Sequence, residues 1–231
     1  MDTTHLRYST NVCISGLTAS GKTTHAHLLA GEFGLTYVSG SQIQLNFLGV
    51  SPIQSKDFWI THDAKALWDA DQFRRIDSEL LTIESRSTGC IFDTSTMPWR
   101  HRESAFCIWL ESDLSSRVLK SIVSHRGRSQ FEAGDYPAKI AEKDAATVGL
   151  YRRLYDIQIA TDLSCFDMIV DISALIQEPT LEASLASIAI AHRFVRAASA
   201  FALTGKVAYR DELNEAAREH PTIMKRCSIL D

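Results

Sequence analysis

The eight residues Gly16-Leu17-Thr18-Ala19-Ser20-Gly21-Lys22-Thr23 match the pattern G-x-x-x-x-G-K-[ST] at every fixed position. Nothing else in the chain constrains the fold as tightly. Such a loop works only between a buried strand and the start of a helix. Its glycines let the backbone wrap round phosphate oxygens so that successive N–H groups point inward, and the helix N-terminus adds positive potential. The flanks comply. Asn11–Ser15 is a short apolar run, and Lys22–Phe33 carries Ala26, Leu29, Ala30 and Phe33 at helical spacing. The motif predicts a nucleoside triphosphate site, with ATP and Mg²⁺ the expected pair, built from Gly16, Ala19, Ser20, Gly21, Lys22, Thr23 and Thr24. Lys22 is expected to neutralise charge between the β- and γ-phosphates, and the Thr23 hydroxyl to ligate Mg²⁺.

Four further apolar runs read as strands: Thr36–Val38, Cys90–Phe92, Phe106–Leu110 and Asp167–Ile172. None alternates cleanly between apolar and polar residues, as expected of parallel strands covered on both faces. Helical patterns fill the gaps, from about Ala64 to Ser85, over Leu114–Val123 and over Ala138–Tyr155. The expected class is α/β, a doubly wound sheet of five parallel strands. After Ile176 the composition shifts. Thr180–Leu203 reads as one long amphipathic helix with Leu181, Leu185, Ile188, Phe194, Val195, Ala198 and Phe201 on its apolar stripe. Asp211–His220 reads as another, with Asp211 as its N-cap and Pro221 just beyond its end. So wide a stripe must be covered by the domain or by a second copy, which makes these helices the expected homodimer surface.

Of the 231 residues, 45% are hydrophobic, enough for a proper core. A net charge of −4 argues against a nucleic-acid partner, which usually calls for a basic excess. The five cysteines show no short spacing of a zinc or redox site. Cys13, Cys90 and Cys107 sit inside apolar runs and are expected to be reduced core residues. No basic-then-apolar signal opens the chain, and no apolar run approaches the ~20 residues that span a bilayer. No membrane partner is expected, and a cytoplasmic location is.

Guanine-reading proteins generally carry an N-K-x-D segment, which this sequence lacks, and the chain is short for a motor ATPase. The remainder is a kinase moving the γ-phosphoryl group to a small acceptor, hence a three-layer P-loop kinase fold. Residues 1–177 form the expected kinase domain and residues 178–231 a C-terminal helical extension. Asp93 ends the third strand, where residues face the ligand crevice; it is expected to hold Mg²⁺ or to take a proton from an acceptor hydroxyl. The basic, glycine-containing stretch His125-Arg126-Gly127-Arg128-Ser129 marks a lid over about residues 124–140, bringing Arg126 and Arg128 onto the transferring phosphoryl. Trp99 and Arg100 are placed beside the acceptor. His25 and His27 lie two apart on a helix and so do not form a metal pair.

Three segments give the chain a family resemblance. They are Val12-Cys13-Ile14-Ser15-Gly16 through Thr24, Tyr37-Val38-Ser39-Gly40-Ser41-Gln42-Ile43, and Tyr151-Arg152-Arg153-Leu154-Tyr155-Asp156-Ile157 continuing to Asp171. Together they resemble the cytidylate kinases, especially the short archaeal-type branch, over roughly residues 11 to 176. The resemblance implies Ser39 and Gln42 beside the acceptor, with CMP or a related nucleotide as that acceptor. It also implies arginines on the acceptor's phosphate at three places where this chain has Leu45, Ser95 and Leu150. A desolvated phosphate dianion needs charge-assisted donors. Either other cations serve (Arg100, Arg102, Lys143 and Arg152 are candidates) or the acceptor is an unphosphorylated alcohol with Asp93 as base. A nucleotide-binding regulatory protein without transfer activity is the third reading.

Overall fold

The computed structural model describes residues 8–47, 70–100, 105–126 and 132–230. Strands β1 (Asn11–Gly16), β2 (Thr36–Ser39), β3 (Cys90–Asp93), β4 (Ala105–Glu111), β5 (Met168–Asp171) and β6 (Met224–Cys227) form one sheet in the order β2-β3-β1-β4-β5-β6. The first five run parallel, and β6 pairs antiparallel with β5. The expected sheet of five parallel strands is therefore corrected to six. The sixth escaped notice because Lys225 and Arg226 are exposed, as edge strands often are.

The strands read as unbroken apolar runs because both faces are covered. Val12 and Ile14 of β1 point to one core, and Cys13 points to the other. Ile108 and Leu110 of β4 share the first core, while Cys107 and Trp109 share the second. This period-2 division gives three layers. One helical layer holds α1 (Lys22–Phe33), with a long C-terminal helix and the shorter helix that follows it. The opposite layer holds α3 (Ala70–Arg86) and α6 (Tyr136–Tyr155). Between them in the chain come α2 (Gly40–Phe47), the single turn α4 (Met97–Arg100) and α5 (Leu114–His125). All five cysteines are free and buried.

The two C-terminal helices are α7 (Leu181–Thr204) and α8 (Val207–Glu219). Ala191, Phe194, Val195 and Ala198 of α7 are buried in the first core beside Val12 and Leu29. The expected stripe is wrong at its start: Leu181 and Leu185 are 64% and 56% exposed. Helix α8 begins at Val207 rather than after Asp211, because α7 ends at Gly205 and the chain turns straight into the next helix. Likewise α6 begins at Tyr136 rather than Ala138, with Pro137 in its first turn, where its missing N–H costs nothing.

A chain stopped after Glu178 would expose the apolar face that Phe194, Val195 and Leu213 now cover. Such a truncation should aggregate or lose its cooperative melt. A soluble monomer melting as sharply as the full chain would contradict this packing.

Candidate active site

β1 lies between β3 and β4, the neighbours on either side of the point where the strand order reverses, and a ligand crevice opens at such a point. Here a cleft of about 850 Å³ runs from α2 and α3, past the loop after β1, to α5 and α7.

The loop from Gly16 to Lys22 has the backbone that phosphate binding requires. Gly16 has φ 157°, Ala19 62° and Gly21 98°, so the chain turns sharply, as a loop wrapping a phosphate must. Gly16 cannot be replaced freely: a methyl group there would lie 2.5 Å from Ser20 Oγ and 2.7 Å from the Leu110 carbonyl. The ammonium of Lys22 curls back over the loop, donating to the carbonyls of Gly16 (2.9 Å) and Leu17 (3.0 Å). Burial lowers its pKa, opposed by the charges of Asp93 and Asp144.

Asp93 sits at the end of β3, directly across from the first turn of α1. Its Oδ2 accepts from Thr23 Oγ1 at 2.6 Å and from the Tyr37 hydroxyl at 3.0 Å. Burial and the nearby Asp93 charge push the Tyr37 phenol well above its ordinary range, so it stays a donor. A hydroxyl and a carboxylate this close form a donor set that suits Mg²⁺. The Ser15 hydroxyl donates to the Thr94 carbonyl at 2.6 Å and ties the ends of β1 and β3 together.

Beyond Asp93 the cleft is walled by Ser39, Gln42, Leu45, Phe73, Asp77 and Tyr151. Leu45 and Leu150 are 6% and 4% exposed, so both are core residues. Ser95 faces the cleft, and no arginine lines it among the described residues. Asp77 accepts from Thr96 Oγ1 and from the Tyr151 hydroxyl, and its other oxygen lies 3.5 Å from Arg100. Burial raises its pKa despite that guanidinium.

The structure brings together Gly16, Ala19, Ser20, Gly21, Lys22, Thr23, Thr24, Ser39, Gln42 and Asp93, all of which line the cleft. It does not bring Trp99 or Arg100 there. Trp99 packs edge-on against Trp109 and Phe166 and donates to the Asp162 carbonyl at 2.7 Å. Arg100 stacks 4.0 Å over the Tyr155 ring. Arg126 is exposed at the end of α5 and does not line the cleft. Arg128, the centre of the expected lid, lies outside the described residues, as does Arg102.

Sequence reasoning missed several neighbours of the loop. Asp144 on α6 accepts from the Thr18 N–H at 3.0 Å, and Arg117 on α5 donates to the Thr18 carbonyl at 3.0 Å while pairing with Asp144. The backbone of Thr18 is thus held at both its N–H and its carbonyl. Lys120, also missed, and Lys143, one of the cations the sequence offered, both face the cleft, and burial pushes each down to about 8. For Lys143 the neighbouring Lys22 charge acts in the same direction. His25 lines the cleft from α1; burial, then His192 and Lys120, hold its imidazole down to about 3, so it is neutral.

Over 176 residues the chain is 30% identical to the cytidylate kinase of Pyrobaculum aerophilum, a match covering 75% of this chain and 90% of that one. The chain belongs to the cytidylate kinase family. It is thus a P-loop kinase, an enzyme acting on a nucleotide or other small molecule. The cytidylate kinase of Sulfolobus acidocaldarius is 29% identical over 176 residues, covering 72% of this chain and 87% of that one. No protein-family model matches the chain. A shikimate kinase from Acinetobacter baumannii in complex with shikimate aligns with TM-score 0.40 and 16% identity over 66% of this chain and 84% of that one, too distant to build on.

Proposed function

We propose that this kinase transfers the γ-phosphoryl of ATP to a hydroxyl of a small acceptor that bears no phosphate of its own. One observation carries the reading. The acceptor half of the cleft presents carboxylates, Asp77 and Asp93, and neutral hydroxyls and amides, with Leu45, Ser95 and Leu150 where the family resemblance calls for arginine. Among the described residues, a dianion there would meet Asp77 and Asp93 with no arginine on the cleft wall, and each charge-assisted donor of that kind is worth ~1.5–3 kcal/mol.

The loop N–H groups and Lys22 would hold the triphosphate. Thr23 and Asp93 would hold Mg²⁺, which neutralises phosphate charge when bound. Among the described residues the bonds to Asp93 fall on Oδ2, which leaves Oδ1 as the oxygen to meet the acceptor. As the acceptor oxygen bonds to the γ-phosphorus, its proton passes to Asp93, and the bond from that phosphorus to the ADP oxygen breaks.

The reading favoured by kinship, with CMP as acceptor, has one feature of the cleft behind it: Lys143 faces it beside Lys22 and would supply a cation. ADP release from Mg·ATP, measured across nucleoside monophosphates, nucleosides and sugars, separates the two. The expected result is a higher kcat/KM for a hydroxyl acceptor than for CMP. Efficient turnover of CMP at micromolar concentration would overturn it.

The cleft lysines give a pH dependence of known sign. Lys120 and Lys143 are charged below about 8 and neutral above it, so their attraction for triphosphate is present at pH 7 and lost as pH rises. Affinity for an ATP analogue should fall by about tenfold or more between pH 7 and 9.5, as lost charge pairs of this kind are worth about 1–3 kcal/mol. Lys143→Met should flatten that curve; a variant with the wild-type slope would contradict the assignment.

A further inference from the structure

Two imidazoles stack inside the molecule, one from each end of the sequence. His25, on the first turn of α1, is 2% exposed. His192, on α7, lies against it with ring centroids 5.5 Å apart and planes 12° from parallel. Their Nδ1 atoms are 3.3 Å apart. His192 Nε2 in turn lies 3.1 Å from Glu32 Oε1, and Arg196 holds the other oxygen of that carboxylate at 2.9 Å.

An ionised carboxylate only accepts, so His192 Nε2 carries the hydrogen it shares with Glu32. The two Nδ1 atoms share one further hydrogen, which ties the rings together. The opposite edge of the ring faces the phosphate loop: a methyl group on Gly21 would lie 3.7 Å from Cδ2 and 3.9 Å from Nε2 of His25. The backbone N–H of His25 also donates to the Gly21 carbonyl at 3.2 Å. His25 thus backs the left-handed turn at Gly21, one residue before Lys22, and lines the cleft.

A buried imidazole without partners is costly, and an apolar side chain would fill this space without any. The pair makes sense if its orientation serves the loop. We propose that His192, carried by the C-terminal helix, is a positioning residue of the nucleotide site, fixing the His25 ring behind Gly21. The proposal rests on the phosphate loop being the triphosphate site. It extends that site beyond the kinase core, through the chain Glu32–His192–His25, into α7.

The two amide side chains separate this role from simple packing, since asparagine reaches the position of Nδ1 and glutamine that of Nε2. The dissociation constant of a Mg²⁺-bound, non-hydrolysable ATP analogue is measured by calorimetry at pH 8. His192→Gln should weaken it by about tenfold, in the range usual for supporting residues. His192→Asn should stay within about threefold of wild type. The double variant His25→Phe, His192→Gln should bind no more weakly than His25→Phe alone, because the two act as one unit. Equal binding by His192→Gln and wild type would overturn the proposal, as would equal weakening by the two amides or additive losses in the double variant. Lys22→Ala is the internal control. If it binds as tightly as wild type, the phosphate-loop reading fails and takes this proposal with it. If it binds weakly while His192→Gln does not, this proposal alone fails.

Discussion

Lys22→Ala should reduce phosphoryl transfer by ~10²-fold or more while leaving the fold intact. The magnitude follows from where its charge is held. Its ammonium is held half-buried at the mouth of the loop, near the carboxylates of Asp93 and Asp144, and donates to the loop carbonyls of Gly16 and Leu17. A charge fixed in a site with little water acts on developing phosphate charge far more strongly than in bulk solvent. Among the described residues the ammonium bonds to loop carbonyls rather than to the core, so its removal should move the melting temperature little. Activity within about threefold of wild type would sink the assignment of Lys22, since electrostatic contributions of this kind are much larger.

Asp93→Asn should be nearly as severe for turnover and much milder for ATP binding. Asparagine keeps the size of the side chain and can still accept from Thr23 and Tyr37. It cannot take a proton from an acceptor hydroxyl, and loss of a general base typically costs 10²–10⁴-fold, so a fall in kcat of at least about 100-fold is expected. The dissociation constant for the ATP analogue without metal should change by less than about threefold, because Asp93 faces the acceptor side rather than the loop N–H groups. A variant that keeps its turnover would mean that Asp93 is only the partner of Thr23 and Tyr37, and would favour CMP held by Lys143.

Much of this architecture was legible in the sequence because it is local. The loop motif, the strand before it and helix α1 are read from consecutive residues, and α1 has the predicted bounds, Lys22–Phe33. The parallel strands β1, β3 and β4 are legible because burial on both faces makes them largely apolar between their ends. Elements with weak local signals were missed. β6 has only Met224 and Cys227 turned toward the core, and the first turns of α7 leave two leucines in solvent.

The site was legible in the same proportion. Lys22, Thr23 and Asp93 could be named because a motif or a strand end marks them. Tyr37 reaches Asp93 across 56 positions, Asp144 reaches Thr18 across 126, and His192 reaches His25 across 167. Such contacts depend on how layers stack, and no spacing in one sequence encodes them. Trp99 and Arg100 were placed by proximity to the third strand, but the turn at Met97–Arg100 points both side chains into the packing around Trp109 and Tyr155 instead.

The acceptor half of the cleft is where kinship and residue chemistry part, and the bond formed in the product decides between them. A phosphoryl group placed on a hydroxyl gives a phosphate monoester, while one placed on CMP gives a phosphoanhydride. The two have distinct phosphorus resonances. The protein should be incubated with Mg·ATP and the best acceptor from the ADP-release screen, with CMP in a parallel sample, and the products followed by phosphorus NMR. The expected result is a new monoester signal growing in step with ADP, and little phosphoanhydride product with CMP. Rapid formation of CDP, with no monoester from any hydroxyl acceptor, would contradict the account.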